Sequence, residues 1–476
     1  MTVDVETKAT SGLRSDCLPF RDVLAQSVAN IAPTASPTVN IALVFASAGG
    51  ATWFAYVIAT VGLVFVSFNI NQFARRSASP GSLYSYIAKG LGSTVGVLSG
   101  WALVLAYLFT AMAVLSGFAN YGEVLFQAVG LAISPIFLFA ICAGLAWYIA
   151  YKDIELSASL MLALEVVSVG LILLLGIIVL AHHGFAIDTA QLSLQGMSGE
   201  GLRLGLVLAI FSYVGFESAT ALGDEAKSPL TTIPRSVLSS TILAGLFFVF
   251  MSYIQVLGFN GSPVPMNESD APLNYLATQA GVPALGFLTV ICAMVSFFAC
   301  ALASINAGSR IFFSMARHGI FHPSIGQAHS DNQTPHVAVT MTTLFVFLVT
   351  ASMSMFGVTP LDIYFFLGTI ATYGFLLAYI LVSIAAPVYL YRERELKPLD
   401  VVISVISVVF MIIPTVGSIY PVPPTPFNVF PYLFLMYLVA GGCWFLMLRL
   451  HSPEVIEDME EAIEAVHTKF NEMKKV

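Results

Sequence analysis

The sequence predicts an all-α membrane protein with twelve transmembrane helices. Three observations carry that prediction: an apolar composition, apolar runs of bilayer length, and basic residues that alternate in side along the chain. Of 476 residues, 58% are hydrophobic and 10% charged, too few charges to cover a water-facing surface around so much apolar chain. A water-soluble fold is excluded. A hydrocarbon core of roughly 30 Å takes about 20 apolar residues as helix. Twelve runs meet that requirement, at 23–47, 51–73, 94–121, 132–151, 157–181, 202–222, 236–259, 283–315, 336–356, 361–390, 400–420 and 428–449. They are too long for barrel strands, so their backbone groups must pair within helices.

Lysine and arginine set orientation, because they resist transfer across the membrane during insertion. Lys8, Arg14 and Arg21 precede span one, Arg75, Arg76 and Lys89 follow span two, Lys152 follows span four, and Lys227 and Arg235 follow span six. Arg310 and Arg317 end span eight, Arg392, Arg394 and Lys397 end span ten, and Arg449, Lys469, Lys474 and Lys475 follow span twelve. Arg203 alone falls on the other side. The alternation requires an even number of spans and predicts both termini in the cytoplasm, in a multi-pass protein of a cell inner or plasma membrane. The net charge of −8 comes largely from the tail after span twelve and says little about partners. No basic stripe suggests nucleic acid, so the expected partners are the lipid bilayer and a small-molecule substrate. The scattered cysteines, Cys17, Cys142, Cys292, Cys300 and Cys443, read as packing residues and not as disulfides or metal ligands. The first 22 residues have no apolar stretch of signal-peptide type, so span one itself is expected to direct insertion.

Two spans are interrupted. Span one holds Ala32, Pro33, Thr34, Ala35, Ser36 and Pro37, two prolines four apart that each remove a donor and clash with the preceding turn. Span six holds Ser212, Tyr213, Val214, Gly215, Phe216 and Glu217, a glycine and an ionisable group at similar depth. Broken backbone at mid-membrane is tolerated where it is buried in protein or lines a wet cavity. Spans one and six hold matching positions if the first ten helices are two five-helix repeats, and since five is odd the repeats are inverted. Interrupted segments in register point to a transport site, with half-helix N-termini attracting anions and freed carbonyls attracting cations. The expected organisation is an N-terminus at 1–22, repeats at 23–201 and 202–391, two further spans within 392–449, and an acidic tail at 450–476.

A carboxylate at mid-membrane costs roughly 2.5–3.5 kcal/mol on insertion scales, and two stand in such places. Glu165 lies within span five and Glu217 at the break of span six. Such a group exchanges a proton as its surroundings change, so Glu165 is the expected main proton-coupling carboxylate. Glu217 is expected to couple protons too, and either to bond the freed backbone or to meet a substrate amine. Each also admits the plainer reading of a protonated acid bonded between helices. No histidine lies deep in a span. Tyr107 and Thr110 in span three, Phe211 and Tyr213 in span six, Ser304 and Asn306 in span eight, and Thr369 and Thr372 in span ten are cavity-lining candidates, although hydroxyl and aromatic residues also serve as interhelical packing. Phe211, one turn before the break, is placed to close over a substrate.

These residues carry a resemblance. Gly215, Phe216, Glu217, Ser218, Ala219, then Glu225 to Pro229, and Ile233, Pro234, Arg235 resemble the sixth-span signature of the amino acid, polyamine and organocation superfamily. Asn306 to Arg310, Met315 to Gly319, Pro323, Thr334, Pro335 and His336 are similar to its eighth span and following loop. Pro80 to Tyr86 with Gly100 and Trp101 are similar to its loop into span three. The resemblance implies a LeuT-like five-plus-five inverted repeat with two extra C-terminal helices, alternating access, and amino acids or related amines bound between the breaks. It implies that Phe211 gates the site, that Glu217 matches a carboxylate of amine and basic amino acid carriers, and that Glu165 stands where some proton-coupled relatives hold a lysine. A glutamate there works by protonating to a neutral form or by helping to hold a cation. Span one departs from the family: where many members have Gly-Ser-Gly, this chain has Pro33, Thr34, Ala35. Amides for a substrate carboxylate then come from Thr34, Ala35 and Ser36, and an amine lacking the carboxylate stays an alternative.

The substrate-facing set is thus Ala32, Pro33, Thr34, Ala35, Ser36, Tyr107, Phe211, Ser212, Val214, Gly215, Glu217, Ser304 and Thr369. No metal site or cofactor is implied; the proton gradient is the expected driving force, with sodium the alternative. A solute sensor remains open. A channel would not need two discontinuous helices in inverted halves, and no phosphate loop or nucleophile elbow suggests an enzyme or ATP-driven pump. In the tail, Val455, Ile456, Met459, Ile463, Val466 and Phe470 recur at helical spacing, which predicts a cytosolic amphipathic helix, solvated or loosely docked. The outer loop from Asn260 to Pro272 is expected to act as an external cover.

Overall fold

Every apolar run becomes helix. The computed structural model describes residues 11–269 and 271–473, with side chains up to residue 466. The expectations for Lys8, Lys474 and Lys475, and for the side chains of Lys469 and Phe470, lie outside it. In chain order the longer helices are α1 (Phe20–Ile31), α2 (Ile41–Ala48), α3 (Thr52–Ala74), α4 (Ser82–Leu91), α5 (Ser93–Ala128), α6 (Pro135–Lys152), α7 (Ile154–His182) and α8 (Gly199–Phe211). They continue as α9 (Pro229–Phe259), α10 (Pro272–Gln279), α11 (Pro283–Arg317), α12 (His336–Met355), α13 (Pro360–Arg392), α14 (Pro398–Gly417), α15 (Phe430–His451) and α16 (Glu454–Met473). Among the described residues no β-strand forms; one isolated bridge joins Leu18 and Ala226.

Ten helical stretches are long and apolar enough to cross a membrane. One of them, Phe20–Ala74, takes in the expected spans one and two. The expected span six is not among them, because its α-helix stops after 13 residues at Phe211. Helix starts follow local chemistry. Asp153 caps α7 by accepting from the Glu155 and Leu156 amides at 2.7 and 3.3 Å, so that helix begins at Ile154, ahead of the expected 157. Proline stands at the start of α6, α9, α11, α13 and α14, where its missing donor has no intrahelical partner to lose. The stretch after Pro80, expected as a loop, folds as α4: Leu83, Tyr84, Tyr86 and Ile87 are buried in its first two turns. The segment 260–272 carries a short turn at Met266–Glu268, with Met266 buried.

The centre of the bundle is α5, which packs along both α13 and α11. Around it α3 packs on α9 and α6 on α12, while α7 lies against α11. Apolar side chains such as Val166, Leu246 and Val439 are more than half exposed on the outside, the arrangement that lipid rather than water solvates.

Candidate functional site

Both interruptions are present. At the C-terminus of α1, Ala32 takes a left-handed conformation at φ 50°, a strain of about 1–2 kcal/mol for a non-glycine residue, and Pro33 offers no donor to continue the helix. The chain resumes as a π-turn over Ser36–Asn40. The second break begins after Phe211, turns through Gly215 at φ +87°, and continues as 3-10 helix over Ser218–Leu222. The N-terminal half of the first broken helix and the C-terminal half of the second lie side by side: Ser218 Oγ donates to the Gln26 carbonyl at 3.1 Å, and the Ala219 amide donates to Ser27 Oγ at 2.9 Å. Asn40 Nδ2 reaches Ser212 Oγ at 3.4 Å. A Cβ on Gly215 would overlap the Asn30 side-chain amide, so glycine is needed there for conformation and for contact alike.

Between the breaks lies a cavity of about 30 Å³, room for a water and not for an amino acid. Its walls are mostly small and apolar: Ile31, Ala32, Ala35, Ala113, Val114, Val214, Cys300 and Gly368, with Phe211 across one side. The Phe211 ring rests on Gly368, where a Cβ would stand 2.6 Å from its Cζ, and packs edge-on against Tyr364. The polar lining is Asn30, Asn40, Thr110, Ser212 and Tyr364. Ser212 Oγ pairs with Tyr56 at 3.1 Å and Asn40 Oδ1 with Tyr364 at 3.2 Å. Asn30 Nδ2 and Thr110 Oγ1 are buried without a partner, and each unmade bond costs about 1–3 kcal/mol. Both residues line the cavity, and a buried polar atom without a protein partner is open to a water or a ligand.

Of the residues expected to face substrate, Ala32, Ala35, Phe211, Ser212 and Val214 line this cavity, as does Thr110. Pro33, Thr34, Ser36, Tyr107, Gly215, Glu217, Ser304 and Thr369 do not. Thr34 Oγ1 donates to the Cys292 carbonyl at 3.5 Å, towards α11. Ser36 Oγ accepts from Asn40 at 3.5 Å. Ser304 stands behind Asn30, donating to its Oδ1 at 2.9 Å. Thr369 and Thr372 turn back onto their own helix, to the Phe365 and Gly368 carbonyls. Tyr213 pairs with Thr60 and Asn306 with Ser157. Of the three amides left to the first break, that of Ala35 is already bonded to the Ala32 carbonyl at 2.9 Å.

Glu217 is fully buried, three residues past the lining residue Val214. Tyr107 donates to its Oε1 at 2.6 Å and Tyr379 to its Oε2 at 2.5 Å, while Tyr379 also accepts from the freed Gly215 amide at 3.2 Å. The carboxyl therefore reaches the broken backbone through a tyrosine, and both its oxygens have donors. Glu165 sits apart from the cavity, between α7 and α11. It accepts from Ser296 at 2.8 Å, and its second oxygen is buried without a partner. Ser296 is one turn along α11 from Cys292, whose carbonyl takes Thr34, so α11 joins this carboxyl to the first break.

Sequence reasoning missed Asn30, Asn40, Tyr364 and Tyr379. The two asparagines were findable, since an amide flanking a break in an apolar span is rare for the same reason a carboxylate is. The tyrosines left no signal, because their partners come from helices far away in sequence.

At the end of the bundle where basic residues gather, several contacts tie the elements together. The Cys17 and Leu18 amides both donate to the Glu225 carbonyl at 2.9 Å. The Glu225 side chain takes Arg310 in a fully buried pair at 2.5 Å. Arg14 bridges Asp153 and Glu155 at 3.1 Å each, and Arg76 meets Glu395 at 2.6 Å.

The family model for amino acid permeases matches residues 22–449. The chain is 25% identical to a branched-chain amino acid permease, BcaP, of Lactococcus lactis, over 80% of this chain and 83% of that protein. It is 21% identical to a protein of the same name in Bacillus subtilis, over 74% and 76%. It is also 26% identical to the low-affinity putrescine importer PlaP of Escherichia coli, over 59% and 63%.

Proposed function

Because the chain belongs to the amino acid permease family, whose members are transporters and not enzymes, we propose that it is a proton-coupled carrier of small neutral amino acids working by alternating access. The observation that carries this reading is the small apolar cavity between two broken helices, closed by Phe211 and lined by Asn30 and Thr110, which each hold a buried polar atom without a protein partner. Among the described residues the lining holds no carboxylate and no basic side chain, which favours a net-neutral solute with an apolar side chain. The α-amino and carboxylate groups then fall to the ends of the broken helices, where helix dipoles and freed backbone groups bind them.

Twelve spans are assigned. Span one is α1 with α2, span six is α8 with the 3-10 segment, and the rest are α3, α5, α6, α7, α9, α11, α12, α13, α14 and α15. Spans one to five and six to ten form the inverted repeat. Its support is the packing: one lies on six, two on seven, three on eight and four on nine, as expected of helices flanking a pseudo-two-fold axis. The alternation of basic residues supports cytoplasmic termini, and the end tied together around Glu225 and Arg310 is then the cytoplasmic one. Driving protons bind at Glu165: its unpartnered oxygen leaves room for one, and α11 carries the change to the first break. No cofactor takes part.

One observation favours a second reading, an amine carrier. Glu217 is a buried carboxyl in the second break, held by two tyrosines, and turning either away would free an oxygen for an ammonium group; a putrescine importer is among the relatives. Purified protein in liposomes, loaded with a pH dye and offered leucine or putrescine, tests both. Leucine-driven acidification that vanishes in Glu165→Gln supports the main reading. Putrescine uptake without leucine uptake selects the amine carrier, and uptake that needs sodium instead of a proton gradient removes the proton claim.

A further inference from the structure

The tail helix α16 is docked, and the place where it docks is mechanically significant. Its apolar residues turn onto the protein: Met459 is completely buried although it lies beyond the last span, and Ile456, Ile463 and Val466 pack against the main core. Val455 meets Gly319, just past the end of α11, where a Cβ would stand 2.8 Å from its Cγ1. Glu464 forms an ion pair with Lys89 near the end of α4. Helix α4 in turn abuts the inner half of span six, with Ser82 hydrogen-bonded to Thr220, and packs along α13. A solute leaving the cavity for the cytoplasm must part this inner half of span six from its neighbours. The tail backs α4 from outside and ties it to the end of α11, so that parting works against the tail's contacts.

Part of that docking is weak. One ion pair has its glutamate 61% exposed, and such pairs are worth little and are screened by salt. The outward face carries Glu454, Glu457, Glu460 and Glu461, all exposed, which the anionic inner leaflet repels. Released from the protein, the helix therefore stays in solution and does not settle on the membrane. We propose that α16 is an intramolecular brake, a reversible strap that holds the cytoplasmic side closed and slows transport until it detaches.

The proposal rests on the transporter reading, and its test has one readout that needs no substrate. In a Cys443→Ser background, Cys17 is the one cysteine that is not buried; it is half-buried, its thiol lies against the Arg14 carbonyl at 3.6 Å and its amide bonds the Glu225 carbonyl, so the rate of its labelling by a hydrophilic maleimide rises as these contacts part. The variants are Met459→Glu, Lys89→Glu, and Lys89→Glu with Glu464→Lys. Labelling, and leucine uptake in liposomes, should rise about fivefold in Met459→Glu, the factor that about 1 kcal/mol of lost docking makes in a two-state ratio, and by a smaller factor in Lys89→Glu. The double reversal should return towards the parent. Unchanged or slower labelling in folded Met459→Glu protein, or a double reversal as fast as the single, overturns the brake. Faster labelling without leucine uptake keeps the brake and removes the substrate assignment.

Discussion

Replacing Gly215 by alanine strikes the point where the two breaks meet, and the structure gives the size of the effect. Gly215 holds φ at +87°, which costs an L-residue about 1–2 kcal/mol. The new methyl also overlaps the Asn30 amide. Asn30 must swing away and give up the bond it accepts from Ser304 at 2.9 Å, a loss of about 1 kcal/mol. Together the two effects come to about 2–3 kcal/mol, concentrated at the site and not spread through the bundle. Thermal unfolding of purified protein, followed by tryptophan fluorescence and loss of monodispersity, should show a lowered midpoint in Gly215→Ala. The two parts are separable, because Asn30→Ala removes the clash and leaves the backbone strain. Placed on Asn30→Ala, the glycine change should therefore cost about 1 kcal/mol less than it does alone. A wild-type midpoint for Gly215→Ala would show that the positive φ carries no cost, and the same penalty in both backgrounds would show that Asn30 does not limit the position.

Three further outcomes are expected. Thr110→Val removes an unpartnered hydroxyl, so the melting midpoint should hold or rise, while KM for leucine should increase about tenfold if that hydroxyl bonds the substrate; an unchanged KM removes Thr110 from the site. Arg310→Ala strands the buried Glu225 carboxylate and should cost about 3–5 kcal/mol, most of it recovered in Arg310→Leu with Glu225→Leu, as read from the yield and melting of monodisperse protein. His318, 2.9 Å from the Tyr84 hydroxyl, has its proton affinity pushed down to about 4 by burial and by Arg317. The unfolded chain then binds the extra proton across the window from about 6.5 down to about 4, so His318's contribution is complete above that window and is lost as pH falls through it. Melting of His318→Asn should accordingly depend less on pH across that window, and parallel profiles would exclude the imidazole as the cause.

Among the described residues, what the sequence determined by itself is what composition and periodicity control. Lipid cannot hydrogen-bond a backbone, so each apolar run had to be helix, and every run expected as a span is helical at least in part. The breaks were equally legible, since Pro33 and Gly215 act through their own backbones. What only the tertiary structure decided is which side chains face the cavity. Ser304 and Thr369 lay on the expected helices yet turn elsewhere, because facing depends on helix rotation, and hydropathy fixes rotation weakly where both lipid and protein interior are apolar. Tyr379 was invisible for a related reason: its place beside Glu217 joins positions 162 residues apart, and no local pattern encodes such a meeting. The docking of α16 belongs with these. An amphipathic period shows that a face wants cover, but only packing supplies Gly319, Lys89 and a pocket for Met459, because those partners come from separate helices brought together by the bundle.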